Sequence, residues 1–223
     1  MGLSPRFMLQ SGALVVALLG ALAGPAGAQD LQNFKPATGT WNLLSVDTAD
    51  TAPGGRFVPT LWVNWGLNPL VRRDSDGEVI ETIIEHYVTT DIVATYGVTE
   101  WFEIGLDLPV SYTDGEAIQV IGESGFGLGD LRIVPKVRLP WRLAGVVGLA
   151  LSVPVSFATG DDSRGMGAGT TQVNPKAIAD VRVGGVTATA NVGFRYRAND
   201  VAVEDLGFGN EVTYGAGLAV ELG

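Results

Sequence analysis

The 223-residue chain is 46% hydrophobic and 17% charged, with 31 glycines, no cysteine and a formal net charge of −10. This excludes a disordered chain and a disulfide scaffold, and the acidity argues against a nucleic-acid partner, which needs a basic face. Mean hydropathy is nonetheless positive at +0.25, although only one stretch, at the extreme N-terminus, is continuously apolar.

That stretch reads as a secretory signal peptide over residues 1–28. Arg6 supplies the basic start, Gly12 to Ala23 is an apolar run too short to span a bilayer, and Ala26-Gly27-Ala28 is a small-residue cleavage site. Residues 29–55 are expected as an N-terminal periplasmic segment, with one optional strand over Trp41 to Val46. Residues 56–223 are expected to form an antiparallel up-and-down transmembrane β-barrel, because from about residue 56 apolar and polar residues alternate with period two.

In chain order the expected strands cover 56–67, 81–98, 102–112, 130–139, 147–157, 173–183, 186–196 and 211–222. The second is mixed, since Tyr87 and Val93 share a face with Glu85, Thr89, Asp91 and Thr95. Tight turns at Thr99-Glu100, Pro140–Leu143 and Gly184-Gly185 alternate with longer loops at about 68–79, 113–124, 159–170 and 198–209. Short turns at one end and long loops at the other are the layout of an outer-membrane barrel. The long loops also carry most of the surplus acid.

One face of these strands is apolar, and it carries no charge in the six clean strands. The run from Phe102 to Tyr112 rises about 25 Å at a ~40° tilt, the height of a lipid-facing band. Aromatics fall near the strand ends, which predicts an aromatic girdle of Tyr96, Phe102, Tyr112, Trp141, Phe157, Phe194, Tyr196 and Tyr214. The opposite face predicts a charged lumen lined by Glu85, Asp91, Glu103, Asp107, Asp130, Arg132, Lys136, Arg138, Lys176, Asp180, Arg182, Arg195, Arg197 and Glu211, with Glu221 beyond them. Eight strands enclose a space that side chains alone fill. A conducting lumen therefore asks for more strands than the eight visible.

Enzyme chemistry finds no support. His86 is the single histidine and falls on the lipid-facing parity, away from any nucleophile. The Gly125-Phe126-Gly127-Leu128-Gly129 run precedes a strand, whereas a nucleotide loop opens a helix. Asp74-Ser75-Asp76-Gly77-Glu78 and Gly160-Asp161-Asp162 read as solvated acidic loops, since the first lacks the ligand spacing of a calcium loop. No catalytic residue, metal or cofactor is expected.

The runs Phe102-Glu103-Ile104-Gly105-Leu106-Asp107-Leu108-Pro109-Val110 and Gly127-Leu128-Gly129-Asp130-Leu131-Arg132, followed by Pro135-Lys136-Val137-Arg138-Leu139 and Thr159-Gly160-Asp161, carry a family resemblance. Over about residues 40–223 the chain resembles outer-membrane transporter barrels of the phenol-degradation MetA type, and also the N-terminal barrels of OmpA-family proteins. The resemblance implies roughly twelve strands and, on the OmpA side, a later peptidoglycan-binding domain. No functional residue is carried over from either. The chain stops at Glu221-Leu222-Gly223 without the terminal aromatic that such barrels end on, so the expectation is a barrel incomplete at its C-terminus, the alternative being a closed eight-stranded barrel.

The resulting expectation is an outer-membrane barrel of a Gram-negative bacterium, in contact with lipid, lipopolysaccharide and the barrel-assembly machinery. It would let small solutes diffuse passively through a charged lumen, porin-like, with acidic loops gating access. The alternatives are a structural, anchoring barrel with a plugged lumen, and a soluble secreted sandwich.

Overall fold

The structure, a computed structural model, describes residues 30–32, 34–39, 41–115, 124–199, 201–203 and 206–221. The expected signal peptide and most of the expected 113–124 loop lie outside these residues. The described chain is all-β apart from a single turn of 3-10 helix, Asp162–Arg164.

The main sheet has 11 strands, all paired antiparallel. Three strands are long and continuous: β1 (Phe57–Arg73), β2 (Val79–Thr99) and β3 (Phe102–Gly115). The next three lengths are interrupted. They are β4 (Gly125–Leu128) with β5 (Arg132–Arg138), β6 (Val147–Ser152) with β7 (Val155–Ser156), and β8 (Gln172–Val173) with β9 (Lys176–Val183). β10 (Val186–Arg197) and β13 (Glu211–Val220) complete the sheet. A separate hairpin joins β11 (Val201–Val203) to β12 (Leu206–Phe208) within the 198–209 loop. The eleven strands thus make the eight expected lengths. Two of the interruptions fall at Pro154 and Pro175, which have no N–H to give to a ladder.

The first loop differs from its expectation. β1 and β2 continue pairing to Arg73 and Val79, so only residues 74–78 turn. There the Asp74 carboxylate accepts the N–H groups of Asp76 and Glu78 at 3.0 and 2.9 Å, an internal cap on the turn. At the opposite end of the sheet, β9 and β10 meet directly through Gly184 and Gly185. Both have positive φ (57° and 80°), as a two-residue hairpin requires.

The two faces differ sharply. Phe57, Leu61, Val63, Trp65 and Leu67 of β1 are exposed on one face, while Trp62 and Asn64 between them are partly buried on the other. Register lines the aromatics into rows. Trp65 stands opposite Val88, Val88 opposite Tyr112, and Tyr112 opposite Phe126, whose ring lies 4.7 Å from that of Tyr112. Toward the short-turn end a second row runs from Phe57 to Tyr96 to Ile104. Eight residues separate the rows on β1, roughly 20 Å of height at a ~40° tilt.

The polar face is covered by the chain's own N-terminal stretch. The described residues of 30–52, expected as a periplasmic segment, run along this face from the long-loop end to the short-turn end. Leu31 donates its N–H to Gly165 O in the 157–171 connection, and Thr51 donates its hydroxyl to Glu100 O beside the β2–β3 turn. In between, the segment touches Trp62 of β1, Arg132 of β5, Asp180 of β9, Asn191 of β10 and Gly215 of β13. The sheet is curved around it. The optional strand at Trp41–Val46 reduces to one isolated bridge, Leu43 with Val46. Among the described residues, β1 and β13 each pair along one edge only.

Candidate functional site

The site is the interface between segment 30–52 and the polar face, and it is built from strand alternation. Because successive side chains point to opposite faces, β3 sends Glu103, Gly105 and Asp107 inward, β5 sends Arg132 and Lys136, and β9 sends Lys176, Asp180 and Arg182. Glycines on this face make room for a second chain. A Cβ on Gly105 would fall on the Thr38 side chain, and one on Gly148 would lie 2.8 Å from Ala49 Cβ. A strand-interior glycine that marks close backbone approach is the signal that locates the track.

Ion pairs connect wall to wall and wall to segment. Lys136 Nζ lies 2.9 Å from Glu103 Oε1, and both side chains are 1% exposed. Arg132 NH2 reaches Asp107 Oδ2 at 2.7 Å and also donates to Pro36 O of the segment. Lys176 Nζ meets Asp47 Oδ2 at 2.7 Å. Arg142 NH2 meets Asp50 Oδ1 at 2.8 Å, while its NH1 pairs with Asp180. Arg182 completes the group on Asp50 Oδ2. The two carboxylates hold the Arg142 guanidinium above its already high ordinary pKa, Asp180 contributing most.

Hydrogen bonds fix the segment's backbone. Thr189 Oγ1 and Asn191 Nδ2 donate to Asp47 O at 2.7 and 2.8 Å, and Asn191 Oδ1 accepts the Asp47 N–H at 2.8 Å. Asp180 Oδ2 accepts Ala49 N–H at 2.7 Å, and Glu103 Oε2 accepts Ala52 N–H at 2.6 Å. Gln32 Nε2 donates to Asp91 Oδ1 at 2.6 Å.

The long-loop end is closed differently. The 157–171 connection folds inward and places Met166, 1% exposed, against Leu31, Ile83, Ile84 and Tyr87. Asp130 holds it there, accepting Gly160 N–H and Ala168 N–H at 2.9 Å each.

The expected lumen residues distribute as follows. Asp91, Glu103, Asp107, Asp130, Arg132, Lys136, Lys176, Asp180 and Arg182 are brought together under the segment or at its mouth. Arg195 and Arg197 instead share Glu211, at 2.6 and 2.9 Å, near the long-loop end of β10 and β13. Arg138 donates its Nε to Glu100 O at the short-turn end, 2.8 Å away. Glu85 is a correction. It is the extra residue of a β-bulge between Ile84 and His86, and the bulge turns it out to an exposed position. Glu221 is also exposed, donating its backbone N–H to Gly185 O.

Of the expected girdle, Tyr96, Trp141, Phe157, Phe194, Tyr196 and Tyr214 are exposed, and Phe102 and Tyr112 are half-buried on the same face. His86 is on that face too, accepting from Trp65 Nε1 at 3.3 Å. Sequence reasoning missed Asp47, Asp50, Arg142, Thr189 and Asn191, which carry most of the segment's anchorage.

No curated protein sequence matches the chain. Among solved structures it is similar to an outer membrane channel from Pseudomonas putida F1, at 16% identity over 76% of this chain and 67% of that one, with a TM-score of 0.46. Residues 46–222 match the family described as the MetA-pathway of phenol degradation. That match takes in every strand of the main sheet and the whole Asp47–Asp50 anchorage, and the chain belongs to this family.

Proposed function

We propose that the protein is an outer-membrane β-barrel that lets small solutes pass passively, and that residues 30–52 close its interior at rest. The observation that carries this reading is how the segment is held. Its directional contacts with the wall are ion pairs and hydrogen bonds, and beside them its apolar contacts are scattered, the buried clusters it joins being small. Charged contacts of this kind exchange for water at a net cost of about 1.5–3 kcal/mol each. A segment so held can leave a water-filled interior, whereas one bound through a large apolar interface would not. The outward face, uncharged outside β1 and β2, and its aromatic rows support a lipid setting.

The test is a reversible lock. An ideal Cβ on Gly217 lies 3.5 Å from Leu43 Cβ, within the range of a disulfide. In a planar bilayer the Leu43→Cys/Gly217→Cys variant should show no ion steps when oxidised and steps on reduction. Silence of both the reduced variant and a form lacking residues 30–52 would sink the channel. It would favour the second reading, a permanently plugged structural barrel, for which the fully buried Lys136–Glu103 pair speaks.

A further inference from the structure

We infer that the wall beneath residues 47–50 is a binding site for small organic anions bearing two carboxylates, filled in this state by the chain's own Asp47 and Asp50. Three cations of the wall touch these two residues: Lys176 at Asp47, and Arg142 and Arg182 at Asp50. One wall carboxylate, Asp180, lies among them and is bound by Arg142 and by the Ala49 N–H. The wall therefore presents two net positive charges, and the segment supplies two negative ones. Lifting the segment away leaves three clustered cations against one carboxylate, and a replacement anion relieves their mutual repulsion.

The geometry selects the kind of anion. Guanidinium groups match the planar fork of a carboxylate. The two occupied positions are three residues apart, at most about 11 Å between Cα atoms. A single chloride cannot span them, and a flexible dicarboxylate of four to six carbons can. Thr189 and Asn191 already recognise a carbonyl oxygen beside the Lys176 position. This assignment rests on the reading of residues 30–52 as an occupant that leaves the interior of a channel. The segment then acts as a tethered competitor for the solute.

The test is adipate binding to the full chain folded in detergent, followed by titration calorimetry. Asp47→Asn/Asp50→Asn should bind adipate at least tenfold more tightly than the unaltered chain and should ignore the neutral diamide of adipate. Adding Lys176→Met should weaken that binding at least tenfold. Equal affinity of the unaltered chain and the double variant, or equal affinity for the diamide, overturns the assignment. Should the double variant not fold, Asp50→Asn alone keeps the Asp47–Lys176 pair and exposes one carboxylate position. It should bind acetate as well as adipate, and a failure to bind either overturns the assignment equally. Adipate binding without conductance would leave the site standing and remove the channel, and conductance without adipate binding would do the reverse.

Discussion

Lys136 and Glu103 face each other across β5 and β3 at 2.9 Å with almost no exposure to solvent. Two ions withdrawn from water to this degree are tolerable only as a pair. Their remaining bonding capacity is taken up by the segment, through Asn42 Oδ1 at 3.3 Å from Lys136 Nζ and the Ala52 N–H on Glu103.

Lys136→Met strands the Glu103 carboxylate and is expected to destabilise the fold by about 3–5 kcal/mol. Lys136→Met/Glu103→Leu removes both charges and should regain most of that loss. Urea titration followed by tryptophan fluorescence measures both. Equal loss in the single and double variants would mean that the pair's role is packing rather than charge.

At Gly105 the segment lies so close to β3 that an added Cβ would fall on the Thr38 side chain. Gly105→Leu should push Thr38 away and loosen the segment while leaving the ladder of β3 with β2 and β5 in place. The chain has no cysteine, so Thr48→Cys is a clean reporter at a position with no exposure. Maleimide should label it slowly alone and at least tenfold faster with Gly105→Leu. Unchanged labelling would show that the segment does not depend on this contact.

Leu106 lies on the exposed apolar face, between the two aromatic rows. If that face meets lipid, Leu106→Arg should cost about 2–4 kcal/mol. An exposed leucine in water would tolerate the same change within about 0.5 kcal/mol. Folding yield into lipid vesicles against urea distinguishes the two.

Asp130 joins the 157–171 connection to the sheet through two backbone bonds. Asp130→Ala leaves both N–H groups without their acceptor and should release the loop, at a local cost of about 1–3 kcal/mol per bond. Trypsin cleavage after Arg164 should then quicken while the sheet stays intact. No change in cleavage would mean that Met166 and its apolar neighbours alone hold the loop down.

The strands were legible because alternation is a local property. Val147 to Phe157 declares its two faces without reference to any other residue. The breaks at Pro154 and Pro175 were also present in the residues. Glu85 was misplaced because a bulge shifts parity by one, and no pattern in Ile83-Ile84-Glu85-His86 marks where the extra residue falls. The segment was missed for a different reason. Asp47, Thr48 and Asp50 have neither period, and what holds them lies far along the chain, at Lys176, Arg182 and Asn191. The inner-face glycines Gly105, Gly148 and Gly217 were the available sign, since a face meant only to hold water has no need of bare backbone.

The separation between Asp47 and Asn191, 144 residues along the chain, also bears on how the molecule assembles. The segment is made before any strand, yet its anchors on β9 and β10 exist only once most of the sheet has formed. Contacts of such long range form late, because the intervening chain must be ordered first. A segment synthesised ahead of the sheet is therefore among the last parts to settle. Until it does, the sheet stands with its charged side bare, so the folding intermediate just short of the native state has the polar lining that the proposed open channel would have.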